Sequence, residues 1–186
     1  LIGPDLLLTN CHVLPTEDYV AAATVRFGYK KDPQGANENG QLFSLDPDFY
    51  YFSPQKDLDY ALVRLKERPL QHKMVEGGVK GLSTLELIQQ GKHRGYLLAA
   101  PRRILNLQRV NIIQHPDGDP LKVVLTQNYV TADMSPTRVQ YQADTKKGSS
   151  GSPVFNLFWE VVALHHSSVP YPPDPTAKEQ NEGIPM

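Results

Sequence analysis

Prolines and glycines interrupt most stretches of this chain that would be long enough for a helix. The 186 residues include 16 prolines and 13 glycines, and a proline inside a helix removes a backbone hydrogen bond and clashes with the preceding turn. Short runs lie between them, and several alternate apolar and polar residues, as a strand with one buried face does. The sequence therefore predicts an all-β barrel or sandwich of many short strands.

The predicted strands are spread over the whole chain: 5–10, 21–29, 40–46, 59–65, 109–115, 121–127, 137–143, 152–156 and 159–166. The turn-forming segment "HPDGDP" at 115–120 predicts a hairpin. The leucine spacing within 81–98 predicts a short helix or connecting loop, with Ser83 as N-cap and Gly91 as stop. The proline-rich tail, 167–186, predicts a surface loop.

Composition and charge narrow the classes of partner. Hydrophobic residues make up 40% of the chain and charged residues 21%, as in an ordinary soluble globular protein. The formal net charge of −1 provides no bulk attraction to nucleic acid or to an anionic membrane. No apolar run in the sequence approaches the roughly 20 residues that span a bilayer. Cys11 is the single cysteine, so no internal disulfide can form, which fits a reducing compartment.

The segment "KKGSSGSPVF" at 146–155 places Ser150 between two functionally suggestive glycines. Gly148 lets the backbone turn so that amide groups point to one place, and Gly151 leaves room for a substrate carbonyl. A serine hydroxyl becomes a nucleophile only with a base in reach, a group that orients the base, and donors for the developing oxyanion. The pattern indicates a nucleophile, whereas the alternative is a polar turn that leads into a strand.

A base and an orienting acid lie upstream of this serine. His12 follows an apolar strand in "LLLTNCHVL", and Asp59 begins another in "DYALVRL". Either residue alone is more simply explained as a strand-end histidine or a turn-forming aspartate. Their order, His then Asp then Ser, is that of chymotrypsin-type β-barrel proteases and differs from that of subtilisins and α/β-hydrolases.

Together these segments resemble those of trypsin-like serine proteases of the chymotrypsin fold. "TNCHV" resembles the family's Thr-x-x-His, "DYALV" its Asp-x-Ala-Leu, and "GSSGSP" its Gly-x-Ser-Gly-x-Pro. "IIQHPDG", "ADTKKGSSGSPVFN", "VVALHH" and "NEGIP" are most similar to the disulfide-poor branch that includes bacterial glutamyl endopeptidases. The resemblance extends over about residues 1–183.

The resemblance implies two packed six-stranded antiparallel β-barrels with the site between them. Residues 1–80 would form the first barrel, without its first strand, 81–103 the connection, and 104–186 the second barrel and the tail. His12 would be the general base, Asp59 would orient it, and Ser150 would attack the peptide carbonyl. The amides of Gly148 and Ser150 would form the oxyanion hole.

Two departures from the family pattern bear on activation. Ser149 stands where digestive proteases carry an aspartate that pairs with a newly formed N-terminus, so we expect that activation switch to be absent. Val13 replaces the family's common half-cystine. We expect Cys11, on the other side of His12, to be a small buried residue.

The resemblance also implies candidates for substrate specificity. Asp144 lies where an acid in trypsin attracts Lys or Arg. Thr145 and His165 match positions at which glutamyl endopeptidases bind an acidic side chain, and a hydroxyl with an imidazole suits a carboxylate. We predict cleavage after Glu or Asp. His166 is the alternative to His165, because only one of two successive strand residues can face a pocket.

The remaining expectations concern activity class and partners. The predicted activity is that of a serine endopeptidase acting on a protein or peptide. No cofactor, metal, nucleic acid or membrane is expected to take part. This activity is compatible with a place in a larger multi-domain protein. The alternatives are a catalytically silent binding module of the same fold, and an esterase or acyltransferase that uses the same three residues. His115 is interpreted as turn chemistry.

Overall fold

The computed structural model describes residues 1–69, 95–99, 104–169 and 180–186. Strands dominate this part of the chain. In order the elements are β1 (Leu6–Thr9), α1 (Glu17–Ala22), β2 (Thr24–Phe27), β3 (Lys30–Lys31), β4 (Asn37–Glu38), β5 (Gln41–Ser53), β6 (Tyr60–Leu65), β7 (Asn111–Gln114), a 3₁₀ turn (Pro116–Gly118), β8 (Lys122–Val124), β9 (Val130–Ser135), β10 (Arg138–Tyr141), β11 (Pro153–Phe155), β12 (Val161–Val169) and β13 (Gln180–Pro185).

The first sheet is antiparallel and has the strand order β1-β6-β5-β2, beside a two-stranded ribbon of β3 and β4. The long strand β5 shifts its register against β6 between Asp46 and Tyr50. Pro47 lies within this irregularity, where a residue without an amide donor is tolerated, and such a bulge increases the twist of the sheet. The buried core against this first sheet consists of Leu14, Val20, Phe43, Leu45, Ala61, Val63 and Leu65.

The second sheet has seven strands in the order β8-β7-β11-β12-β13-β10-β9. Its pairings shift register between Val139 and Tyr141, Val154 and Phe155, and His165 and Ser167. These irregularities let the sheet curl around a second core. That core consists of Ile104, Val110, Ile112, Val130, Val139, Tyr141, Val154, Val162 and Ala163.

Several local predictions need correction. The first part of the predicted strand 21–29 belongs to helix α1, whose N-cap Thr16 accepts a hydrogen bond from the amide of Tyr19. The tail is not only a surface loop, since residues 167–169 extend β12 and β13 lies between β12 and β10. β9 was not predicted. The predicted hairpin at 115–120 is confirmed by the pairing of β7 with β8.

The connection predicted at 81–103, with its helix signals Ser83 and Gly91, lies largely outside the described residues. Among the residues that the structure does describe, no helix combines the length and apolar character needed to cross a membrane. Segments next to the two sheets contact each other: the amide of Leu121, just before β8, donates over 3.0 Å to the carbonyl of Tyr29, between β2 and β3. The candidate residues of the site come from both sheets.

Candidate active site

His12 lies in a turn that follows β1. The amides of Val13 and Leu14 donate to the carbonyl of Asn10 and close this turn. The buried side chain of Asn10 donates to the carbonyl of Asp59 over 3.0 Å. The backbone amide of His12 donates to Asp59 Oδ1 over 2.9 Å. These bonds fix the positions of His12 and Asp59 relative to each other without involving the imidazole ring.

Asp59 directly precedes β6 and has a left-handed backbone conformation, with φ of 46°. Non-glycine residues rarely adopt this region, and they do so where surrounding contacts enforce it. Its amide donates to the carbonyl of Pro54, and the amide of Leu58 donates to Ser53 Oγ. Its side chain is fully buried. The loop thus presents a carboxylate inward at a defined position.

Ser150 lies in a compact turn between the second sheet's strands β10 and β11. The amide of Ser152 donates to the carbonyl of Ser149, and the amide of Gly151 donates to the carbonyl of His165 on β12. Gly148 and Gly151 have φ of 89° and 82°, which glycine adopts without steric cost. A Cβ on Gly151 would lie 2.6 Å from Thr9 Oγ1. Gly151 was predicted to leave room for a substrate carbonyl. In the structure its missing side chain leaves room for Thr9, at the end of β1.

The structure brings His12, Asp59 and Ser150 together. His12 Nδ1 lies 2.6 Å from Asp59 Oδ2, and His12 Nε2 lies 2.9 Å from Ser150 Oγ. A carboxylate accepts hydrogen bonds, so its neighbour Nδ1 carries the proton and Nε2 of the neutral ring offers a lone pair to the hydroxyl. This arrangement can take a proton from the hydroxyl as its oxygen attacks.

The amides predicted for the oxyanion hole are available. Within the described part of the chain, the amides of Gly148 and Ser150 have no acceptor, whereas those of Ser149, Gly151 and Ser152 do. The buried Ser149 accepts a long hydrogen bond from the amide of Lys146 at 3.3 Å. The turn is therefore held by its own hydrogen bonds. At position 149 digestive proteases instead carry the aspartate that pairs with a newly formed N-terminus.

His166 also belongs to the site, although the sequence indicated it only as an alternative to His165. His166 Nδ1 lies 2.6 Å from Asp59 Oδ2, and its carbonyl lies 3.3 Å from Ser150 Oγ. The available signal was the pair "HH" itself, since alternation along a strand sends one of the two to the opposite face.

The ligand atoms of His12, Asp59 and His166 lie within 4.8 Å of one another and form a group that could hold a metal ion, although sequence spacing indicated none. Both nitrogen–oxygen distances of 2.6 Å are those of charge-assisted hydrogen bonds.

The three specificity candidates have separate surroundings. Asp144 is exposed, and its carbonyl accepts a hydrogen bond from Gln114 Nε2. The half-buried hydroxyl of Thr145 donates to Asn181 Oδ1. His165 is buried, and its Nδ1 lies 2.7 Å from the hydroxyl of Tyr141. No hydrogen bond among the described residues joins the three to one another.

His165 and Tyr141 have strongly shifted ionisation. Burial lowers the pKa of His165 to about 4, and the nearby His166 and His12 contribute in the same direction. Burial raises the pKa of Tyr141 well above its usual value, with Glu182 adding to the effect. At neutral pH both groups are uncharged. A phenol that donates to Nδ1 leaves the proton of this imidazole on Nε2.

Comparison with known proteins gives a family and relatives. The family model of the trypsin-like peptidase domain matches residues 1–164. "Uncharacterized protein y4fB" of Sinorhizobium fredii is 35% identical over 177 residues, which cover 91% of this chain and 25% of that protein. "Secreted RxLR effector protein 73" of Plasmopara viticola is 29% identical over 183 residues, covering 89% of this chain and 40% of that protein. The chain spans well under half the length of these relatives.

Solved structures share the fold. A Glu endopeptidase in complex with MPD superposes with a TM-score of 0.62 at 16% identity, covering 100% of this chain and 77% of that chain. The Rv3671c protease of M. tuberculosis superposes with TM-scores of 0.62 in its inactive form and 0.61 in its active form, at 15% identity. These superpositions cover 100% of this chain and 76% and 66% of those chains. The predicted all-β, chymotrypsin-like fold class is confirmed.

Proposed function

Because this chain belongs to the trypsin-like peptidase family, we propose that it is a serine endopeptidase that hydrolyses peptide bonds through an acyl-enzyme. The observation that carries the proposal is the 2.9 Å separation of His12 Nε2 and Ser150 Oγ, with the other ring nitrogen on a buried carboxylate. In this proposal Ser150 is the nucleophile, His12 the general base and Asp59 the orienting acid.

In the first half of the proposed reaction, Ser150 Oγ attacks the peptide carbonyl carbon while its proton passes to His12 Nε2. The carbonyl electron pair moves onto oxygen, where the amides of Gly148 and Ser150 would donate to it. His12 then gives the proton to the leaving nitrogen, and the carbon–nitrogen bond breaks. The amine departs, and the carbonyl remains esterified to Ser150.

In the second half, a water molecule takes the place of the amine. His12 Nε2 accepts a proton from the water as its oxygen attacks the ester carbonyl, and the same amides would receive the oxyanion. Return of that proton to Ser150 Oγ releases the acid and restores the starting state. Asp59 stays ionised throughout and stabilises the imidazolium that forms twice in each cycle.

We propose that the bond cleaved follows Glu or Asp. His165 supports this preference as a neutral ring with its proton on Nε2, because a neutral donor can bind a carboxylate without a charge change of its own. Lys146 and Lys147, exposed in the loop before the nucleophile, add positive charge nearby. The alternative, cleavage after Lys or Arg, is supported by the exposed carboxylate of Asp144.

The preformed site favours an active enzyme over a silent binding module of the same fold. A module kept only for binding has no need of a base aligned with a hydroxyl, or of two unengaged amides beside it. The esterase or acyltransferase alternative uses the same three residues, so only the choice of substrate separates it from an endopeptidase.

The test is labelling with a fluorophosphonate probe, comparing the parent chain with Ser150→Ala and with Ser44→Ala, an exposed serine on β5, as the control. We expect the parent and the control to label and Ser150→Ala to remain unlabelled. Equal labelling of Ser150→Ala, or none in the parent, would contradict the proposal. A peptide library on the parent and on Asp144→Asn then separates the preferences, since an acidic preference survives this substitution and a basic one is lost.

A further inference from the structure

The backbone just before the nucleophile's turn is held by a hydrogen bond from another loop. The amide of Asp117, in the 3₁₀ turn Pro116–Gly118, donates to the carbonyl of Lys147 over 2.7 Å. That carbonyl belongs to the same peptide unit as the N–H of Gly148, one of the two candidate donors of the oxyanion hole. In a planar trans peptide the carbonyl and the N–H point in opposite directions. The bond from Asp117 therefore fixes the direction in which the Gly148 N–H points.

This peptide unit needs an anchor because glycine restricts it little. Gly148 has a φ of 89°, and glycine adopts positive and negative φ about equally well. The plane between Lys147 and Gly148 could therefore rotate by about half a turn without the steric cost that a side chain at Gly148 would impose. In that orientation the Lys147 carbonyl, which only accepts hydrogen bonds, would point where the oxyanion needs a donor.

The loop that carries Asp117 is itself held in place. The amide of Asp119 donates to the carbonyl of Pro116 over 2.9 Å, and His115 Nδ1 lies 3.0 Å from the carbonyl oxygen of Asp119. The loop backbone also lies against Gly148, because a Cβ there would be 3.4 Å from the His115 carbonyl oxygen and 3.5 Å from the Asp117 nitrogen. The loop thus presents its amide at a fixed place beside the peptide unit.

Tyr29, between β2 and β3, supports this loop from the side of the first sheet. Its ring stacks on His115 with an angle of 13° between the planes and 6.0 Å between the centroids. Its carbonyl accepts from the amide of Leu121 over 3.0 Å. The contacts thus run from Tyr29 through the loop to Lys147, so the position of the anchoring amide depends on both halves of the chain.

From these contacts we infer that Asp117 is a positioning residue for the oxyanion hole, whose backbone amide turns the Gly148 N–H toward the reacting oxygen. The inference rests on the proposed function, because the hole serves the proposed acyl transfer. Such an anchor requires no newly formed N-terminus, which agrees with the serine at position 149.

The residue type at position 117 follows from its backbone. Asp117 has φ of 56° and ψ of 19°, a left-handed conformation that aspartate, asparagine and glycine adopt more readily than other residues. Its carboxylate pairs with Lys146 at 3.4 Å, where both side chains are more than half exposed, and such pairs contribute little. The conformation of Asp117, rather than its charge, therefore keeps the amide in place.

The first experiment needs no activity. In Ser150→Ala protein labelled with ¹⁵N and ¹³C, NMR should detect a scalar coupling across the hydrogen bond from the Asp117 nitrogen to the Lys147 carbonyl carbon. Adding Asp117→Val should remove this coupling, whereas adding Asp117→Asn should keep it. No coupling in Ser150→Ala would overturn the inference whether or not the chain is a protease. A coupling in a chain whose parent form does not label would contradict the proposed function and leave the anchor established.

The second experiment measures the fluorophosphonate labelling rate. Asp117→Asn and Asp117→Gly retain the left-handed conformation, so we expect their rates to stay close to that of the parent. Valine disfavours this conformation, and we expect Asp117→Val to label about tenfold more slowly. Gln127→Val is the matched control, because the exposed Gln127 has a φ of 55° in the segment between β8 and β9. It should label at the parent rate, and equal rates in Asp117→Val and the parent would overturn the inference.

A readout at the oxyanion hole separates positioning from a general loss of stability. When Ser150 is phosphonylated, the phosphonyl oxygen should accept from the Gly148 N–H, and this proton should move downfield in the NMR spectrum of the parent. Asp117→Val, labelled to completion, should show a smaller shift of the same proton, and Gln127→Val the full shift. A full shift in Asp117→Val would show that the Gly148 N–H is oriented without Asp117, and the inference would be wrong.

Discussion

Arg138 and Asp57 join the two sheets, since the guanidinium donates to the backbone carbonyl two residues before Asp59 over 2.7 Å. The same guanidinium holds Glu182 in an ion pair whose side chains are 18% and 14% exposed. Removing either partner of such a pair leaves a poorly solvated charge behind.

We therefore expect Arg138→Met to lower the free energy of unfolding by about 3 kcal/mol, as measured by urea unfolding. Adding Glu182→Gln should recover part of this loss, because the stranded anion is then gone. Lys30→Met, in the exposed pair with Glu38, is the matched control and should change the same quantity by less than about 1 kcal/mol. Equal effects at the two sites would show that Arg138 is not a structural link.

Gly151→Ala should displace the turn that carries Ser150. Its Cβ would lie 2.6 Å from Thr9 Oγ1, and its φ of 82° disfavours any side chain. We expect the fluorophosphonate labelling rate to fall by at least about tenfold, since the displaced turn carries Ser150. Gly35→Ala separates the two causes, because Gly35 has a φ of 87° with nothing within 4 Å of its added Cβ. That control should cost about 1 kcal/mol of stability and none of the labelling rate.

Asp59→Asn should reduce the labelling rate by about 10⁴-fold, as loss of the orienting carboxylate does in triads of this kind. An amide would place a donor against two imidazoles that both donate, and His12 would lose the tautomer that frees Nε2. Asp57→Asn, two residues earlier and exposed, is the control and should label at the parent rate. A small effect at Asp59 would show that His12 keeps its tautomer by other means.

The neutral His165 predicts a pH-dependent stability. Its pKa is about 4 in the folded chain against an ordinary value of 6.5, so between these values the unfolded chain binds a proton that the folded chain does not. Its stabilising contribution is complete above about pH 6.5 and is lost as the pH falls toward 4. The total loss is on the order of 3 kcal/mol.

Urea unfolding at pH 7.5 and pH 5 measures this contribution. Other groups titrate in the same range, so the informative quantity is the difference between the parent and His165→Asn, whose side-chain oxygen can still accept from Tyr141. We expect the drop in stability to be smaller in this variant. His115→Asn is the matched control, and a drop equal in all three chains would exclude His165 as the source.

The three candidate catalytic residues were accessible to sequence reasoning because each lies in a local motif whose glycines, polar turns and flanking strand are contiguous. The contact of His166 with Asp59 joins residues 107 positions apart and depends on how the two sheets meet. No local pattern specifies that distance. The adjacent histidines indicated only that one of them faces the site.

The misassigned elements have similar physical causes. The alanines at the end of α1 lead directly into β2. The boundary is marked by Ala23, whose backbone is extended while its amide still donates to the carbonyls of Tyr19 and Val20, and periodicity does not reveal it. β13 is polar, yet it is an interior strand. Its buried Gln180 accepts from Thr131, and its buried Asn181 donates to the carbonyl of Ala143. Polar residues satisfied in this way carry no hydrophobic signal.

His12 and Asp59 lie next to strands of the first sheet, whereas Ser150 lies in a turn of the second sheet and His166 on its strand β12. The 2.9 Å contact between His12 Nε2 and Ser150 Oγ therefore depends on how the two halves pack against each other, and such a bond is lost when they shift by about an ångström. If Ser150 reacts as proposed, its labelling rate reports how well the two halves are packed against each other. A solvent or temperature that loosens the packing of the two halves should abolish labelling of Ser150 while both sheets still retain their strands.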